Sequence, residues 1–125
     1  MTRAKVIFAI AATALFGGQA DAQDVRLWMH VSGNELYARC TTDRADPTYP
    51  RNDAFCRGYI YAAADFHATV SAEAGKPSCK RAGVTNTQFV DIVVKYLRDH
   101  PEERDRPGAY AIIAVMPGLV ADCPR

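Results

Sequence analysis

The chain has 125 residues, with Lys plus Arg at 15, Asp plus Glu at 14, four Cys and 49% hydrophobic residues. That length supports one compact core and excludes a multidomain enzyme. A net charge of +1 spread over both signs gives no electrostatic footprint for nucleic acid, and no run of like charge suggests a polybasic membrane anchor.

Arg3 and Lys5 precede an apolar run from Val6 to Phe16, followed by Gly17, Gly18 and the small-residue stretch Ala20-Asp21-Ala22. This is the three-part form of a secretory signal peptide over residues 1–22, leaving a mature domain at 23–125. The run is far shorter than the about 20 residues a helix needs to cross a bilayer, so no stable membrane insertion is expected. The expected location is periplasmic or secreted. Cys40, Cys56, Cys79 and Cys123 all fall in the mature part, and an oxidising compartment favours two disulfides. No C-x-x-C pair occurs and no His stands at ligand spacing, so neither a metal nor a cofactor is expected.

In chain order, Val25 to Val31 is ambiguous between strand and helix. Ser32-Gly33-Asn34-Glu35 is a capping-box pattern, with the hydroxyl taking a first-turn amide and the carboxylate reaching back. It opens a helix over about 33–42 with Leu36, Tyr37 and Cys40 on one side. Thr41 to Asn52, with Asp43, Arg44, Asp46, Pro47 and Pro50, reads as an exposed loop. From Asp53 the apolar residues Phe55, Cys56, Tyr59, Ile60, Ala63, Phe66 and Val70 recur at helical spacing, giving the longest helix, which ends near Gly75. Gly58 inside it marks either a close approach of another backbone or a tolerated surface glycine.

Lys76 to Gly83 reads as a basic loop. Thr85 to Gln88 is a second capping box, and Phe89, Ile92, Val93, Tyr96 and Leu97 form the buried stripe of a third helix that Pro101 stops. Pro107 suits the first turn of a fourth helix. Its expected core residues are Tyr110, Ile113, Met116, Leu119 and Val120, and Pro117 predicts a kink or break at Met116. The fold class is therefore all-α, a small bundle of four principal helices. If neighbouring helices run antiparallel, Cys40 and Cys56 share one end and Cys79 and Cys123 the other. Four cysteines allow three connectivities, and the helix order favours this one.

No nucleophile with a base in reach, split carboxylate pair or metal set is legible. His30, His67 and His100 are scattered over different elements. The pattern favours a binding protein, which works through loops on a rigid frame. Tyr49, with Arg51 beside it, is a plausible anchor in a loop held at its ends by Cys40 and Cys56. The turn from His100 to Arg106, with Glu102, Glu103 and Arg104, suits charge-steered association. Each is also readable as a solvated connection.

Several segments taken together resemble the Rap/Tai family of immunity proteins. They are Gly33 to Tyr37 with Cys40, Cys56-Arg57-Gly58-Tyr59-Ile60, Cys79, Val84-Thr85 with Gln88 to Asp91, Val94 to Leu97, His100-Pro101-Glu102 and Cys123-Pro124. The resemblance covers about residues 31–124. It implies a small exported helical protein, commonly a homodimer, that occludes the cleft of a peptidoglycan-cleaving amidase delivered by type VI secretion. Gly58, Tyr59, Tyr96, Leu97 and Pro101 would then be scaffold. The runner-up expectation is a periplasmic acid-stress or chaperone-like helical protein, and a weaker one is a small enzyme using His67 or His100.

Overall fold

The computed structural model describes residues 30–123. The leader expected over 1–22, and Val25 to Met29 of the ambiguous stretch, lie outside them. In order come α1 (Gly33–Cys40), α2 (Tyr49–Glu73), strand β1 (Ser78–Lys80), α3 (Asn86–Asp99), a 3-10 turn (Pro101–Glu103), α4 (Ala109–Leu119) and strand β2 (Val120–Asp122). The fold is mostly helical, and the all-α expectation needs one correction. Segments β1 and β2 pair antiparallel, Cys79 opposite Ala121. Strands of three residues are too short to display a period of two, and their pairing is non-local, so no window of sequence announces it.

Both sulfur pairs follow the helix order: Cys40 bonds Cys56 and Cys79 bonds Cys123. The first joins the end of α1 to α2, and the second clamps the ribbon. Leu36 of α1, Ile60 of α2, Val93 and Leu97 of α3 and Ile112 of α4 meet at the centre with almost no exposure. Each is among the side chains whose complete burial stabilises by about 1.5–3 kcal/mol.

Helix boundaries reflect local chemistry. Ser32 Oγ accepts the Glu35 amide at 3.1 Å, but the other half of the expected capping box is missing. Glu35 turns instead to Arg39, whose Nη2 donates to it at 2.8 Å. A charged partner one turn ahead out-competes a neutral amide. At α3 the box is complete, with Gln88 N–H donating to Thr85 Oγ1 at 3.1 Å and Thr85 N–H to Gln88 Oε1 at 2.8 Å. The left-handed conformation of Gly75, φ 72°, follows the end of α2, as such residues commonly do beyond helix C-termini.

Three stripes are phased differently from the sequence reading. In α4 the buried residues are Ala111, Ile112, Met116 and Leu119, while Tyr110 and Ile113 are exposed and Val120 is half-buried. The helix is apolar on nearly all sides, so its pattern carries no phase. In α3 Val90 is buried in place of Ile92, which lies on the exposed side. In α2 only Cys56 and Ile60 are fully buried, and Phe66 is 72% exposed, on the side of the helix turned away from its neighbours.

Pro117 does not break the fourth helix, and Pro107 does not lie in its first turn. The helix runs through Pro117 to Leu119 rather than breaking at Met116. Its end follows so closely that little helix remains to be disrupted. Pro107 precedes the helix and bridges Ser32. Backbones do approach closely, but not at Gly58, where an added Cβ would meet nothing within 4 Å. At Gly33 such an atom would lie 2.9 Å from Arg104 Cα, and at Gly108 3.1 Å from Leu36 Cδ2.

Candidate partner-binding surface

The two segments expected to meet a partner lie at opposite ends of α1. The Thr41–Thr48 connection leaves its C-terminus. The Pro101–Arg106 turn is tied to its N-terminus, where Gly33 N–H donates to the Arg106 carbonyl and Asn34 N–H to the Arg104 carbonyl, both at 2.8 Å. With 8 residues rising ~1.5 Å each, α1 separates the two by about 12 Å.

The first segment is ordered by its own side chains. Asp43 Oδ1 accepts the Ala45 amide and Asp46 Oδ1 the Thr48 amide, each at 2.7 Å. These two local turns cap the approach to α2. Thr48 donates its hydroxyl to the same Asp46 oxygen at 2.6 Å, and the Thr48 hydroxyl and amide together hold the Asp46 carboxyl below its ordinary range. Asn52 Nδ2 then donates to Thr42 Oγ1 and to Thr48 Oγ1, both at 3.1 Å, stapling the two ends of the segment together. The guanidinium of Arg39 sits 4.3 Å from the Phe55 ring centroid and reaches Asn52 Oδ1.

Tyr49 is not in a loop. It is the first residue of α2, half-buried, with exposed Pro50 and Arg51 following it in the first helical turn. The expected start at Asp53 is too late because Pro50, read as a breaker, sits where a first-turn proline costs no hydrogen bond. The bridge from Cys40 to Cys56 therefore encloses a short connection plus the first turns of α2. Asn52 was not singled out from the sequence. The Asp-x-Ala and Asp-x-Thr spacing at Asp43 and Asp46 is the local-turn signal that could have led to it.

In the second segment the charges are largely spoken for. Arg104 lays its guanidinium 3.8 Å from the Tyr37 ring centroid and donates to the carbonyls of Leu97 and Arg98. Those are orphan acceptors at the end of α3. Glu103 pairs with Arg106 at 2.9 Å. Glu102 is exposed, and its own amide and then His100 hold its carboxyl below the ordinary range. The His100 ring lies 4.4 Å from that of Tyr96.

The histidines do not converge: His67 lies on α2 and His100 caps α3. Among the described residues no group of three or more His, Cys, Asp or Glu could hold a metal ion, and no helix is long and apolar enough to cross a membrane. A cavity of about 370 Å³ with a mixed lining sits at the ribbon end, between Tyr61, Asp65, Lys80, Phe89, Met116 and Leu119.

Two pre-ordered segments on a disulfide-braced helical frame are the architecture of a protein that binds through surface shape. The model of the Rap1a immunity proteins matches residues 32–117, from the cap of α1 through Pro117 of α4. The chain belongs to that family. No curated protein and no solved structure matches it.

Proposed function

We propose that the chain is exported, loses residues 1–22 and acts in the periplasm as a homodimeric immunity protein. Its target would be a peptidoglycan-cleaving amidase effector of type VI secretion, whose catalytic cleft it occludes. The family match over residues 32–117 is the observation that carries this reading. Two disulfides suit an oxidising compartment, and the leader-like form of residues 1–22 supports export.

Occlusion requires shape and charge rather than reactive groups. Tyr49 at one end of α1, and Glu102 and Glu103 at the other, would contact the two rims of a cleft, with Arg104 holding the second segment in position; Arg51, next to Tyr49, is assigned below to the contact between copies. Segments already ordered lose little conformational entropy on association. Exposed charges at the rim act mainly on the rate of encounter.

The test is co-purification with, and inhibition of, a small amidase encoded beside this chain's gene, together with survival of cells that export that amidase. Stoichiometric binding, inhibition and protection are expected. Absence of binding and of protection overturns the assignment.

A further inference from the structure

The outer face of α2 carries a pattern that the core does not use. Arg51, Ala54, Gly58, Ala62, Phe66, Val70 and Glu73 succeed one another at intervals of three or four residues, and all are exposed. At about 3.6 residues per turn, Arg51, Gly58, Ala62, Phe66 and Glu73 form one stripe about 33 Å long, with Ala54 and Val70 on its two flanks. Its two halves differ. Toward the C-terminus Phe66 is 72% and Val70 50% exposed, a large apolar area for water to cover. Toward the N-terminus, beyond Arg51, stand only the small residues Ala54 and Gly58, and the space over Gly58 is open for at least 4 Å.

The stripe is complementary to itself reversed. Phe66 and Gly58 lie equally far on either side of Ala62, as do Val70 and Ala54, and Glu73 and Arg51. Large therefore matches small twice, and an acid matches a base. Neither Arg51 nor Glu73 has an ion-pair partner among the described residues. A twofold interface uses the same patch on both subunits, so the patch must fit its own rotated image.

We propose that α2 is the interface between two copies of this chain, packed antiparallel about a twofold axis through Ala62. Each Phe66 fills the hollow over Gly58 of the second copy, each Val70 covers Ala54 of the second copy, and Glu73 meets Arg51 of the second copy at both ends. Small residues at the crossing let the helix axes approach to about 8 Å, the close end of ordinary helix packing. The inference rests on the dimeric reading above and adds to it the surface, the register and the pairs.

Sedimentation velocity of the purified oxidised chain over a concentration series tests it. A reversible dimer is expected. Phe66→Glu should raise its dissociation constant about 100-fold or more while leaving the melting temperature of the monomer unchanged, since the side chain is already in water. Glu73→Arg should raise the constant about tenfold, and Arg51→Glu added to it should restore the original value. Under mild oxidation Ala62→Cys should cross-link to itself, whereas Ala72→Cys, exposed but off the stripe, should not. A chain that stays monomeric throughout overturns both the dimer and this interface. A dimer indifferent to Phe66→Glu and to the charge exchange overturns the interface alone.

Discussion

Arg104 joins several parts of the frame. Its guanidinium caps α3 and stacks on Tyr37 of α1, while its carbonyl receives the Asn34 amide and its Cα lies where a Cβ added at Gly33 would come within 2.9 Å. That contact is between backbones, so a methyl at position 33 has no flexible neighbour to push aside. Gly33→Ala should therefore destabilise the fold by about 1–3 kcal/mol. Gly58→Ala should do the reverse, raising the unfolding free energy by about 1 kcal/mol. Urea denaturation at a concentration where the chain is monomeric measures both. Titration belongs to this scale too. Asp46, Asp99 and Glu102 are all held below their ordinary range, Asp99 by Lys95 and then Arg98. A depressed carboxylate stabilises above its unfolded pKa and loses that contribution as pH falls through its folded one. The melting temperature should thus stay level from about pH 7 to 5 and decline below about pH 4. The decline should be shallow because all three groups are in water, and shallower still in an Asp46→Asn, Asp99→Asn, Glu102→Gln chain. A fall already complete by pH 5.5 would contradict this. Gain of holdase activity during the acid decline would favour the chaperone-like alternative.

Among the elements, the helices and the ribbon differ in what keeps them formed. Helices α1, α2, α3 and α4 share the buried cluster around Leu36, Ile60, Leu97 and Ile112. The ribbon has only three paired positions and the sulfur bond behind them. Replacing Cys79 and Cys123 together by Ser should cost about 2–5 kcal/mol. The helical circular-dichroism signal should persist, while amide exchange at residues 79–81 and 120–122 rises first. Equal protection with and without the bond would show that strand pairing alone suffices. The bond from Cys40 to Cys56 differs because Cys56 is only 2% exposed. Its loss leaves a void in the core as well as a freer unfolded chain.

At the scale of the whole molecule, α1 separates the two segments proposed above to meet the partner. Tyr49→Ala, and Glu102→Lys with Glu103→Lys, should each weaken binding of an amidase partner. The first should act mainly on dissociation and the second on the salt-dependent association rate. Melting temperatures should shift by only a few degrees, read beside stopped-flow binding. A large melting shift would make these residues scaffold. The sequence by itself determined the helix count, the complete cap of α3, the cysteine pairing favoured by helix order and the family resemblance, because capping, periodicity and cysteine order are local or ordinal signals. Only the tertiary structure decided the phase of α4, the ribbon, the exposure of Phe66 and the engagement of Arg104. Each depends on what lies across space. An all-round apolar helix such as α4 has no preferred face until neighbours supply one. Phe66 is exposed because it lies on the side of α2 turned away from its neighbours, and no periodicity within the helix records which side they cover.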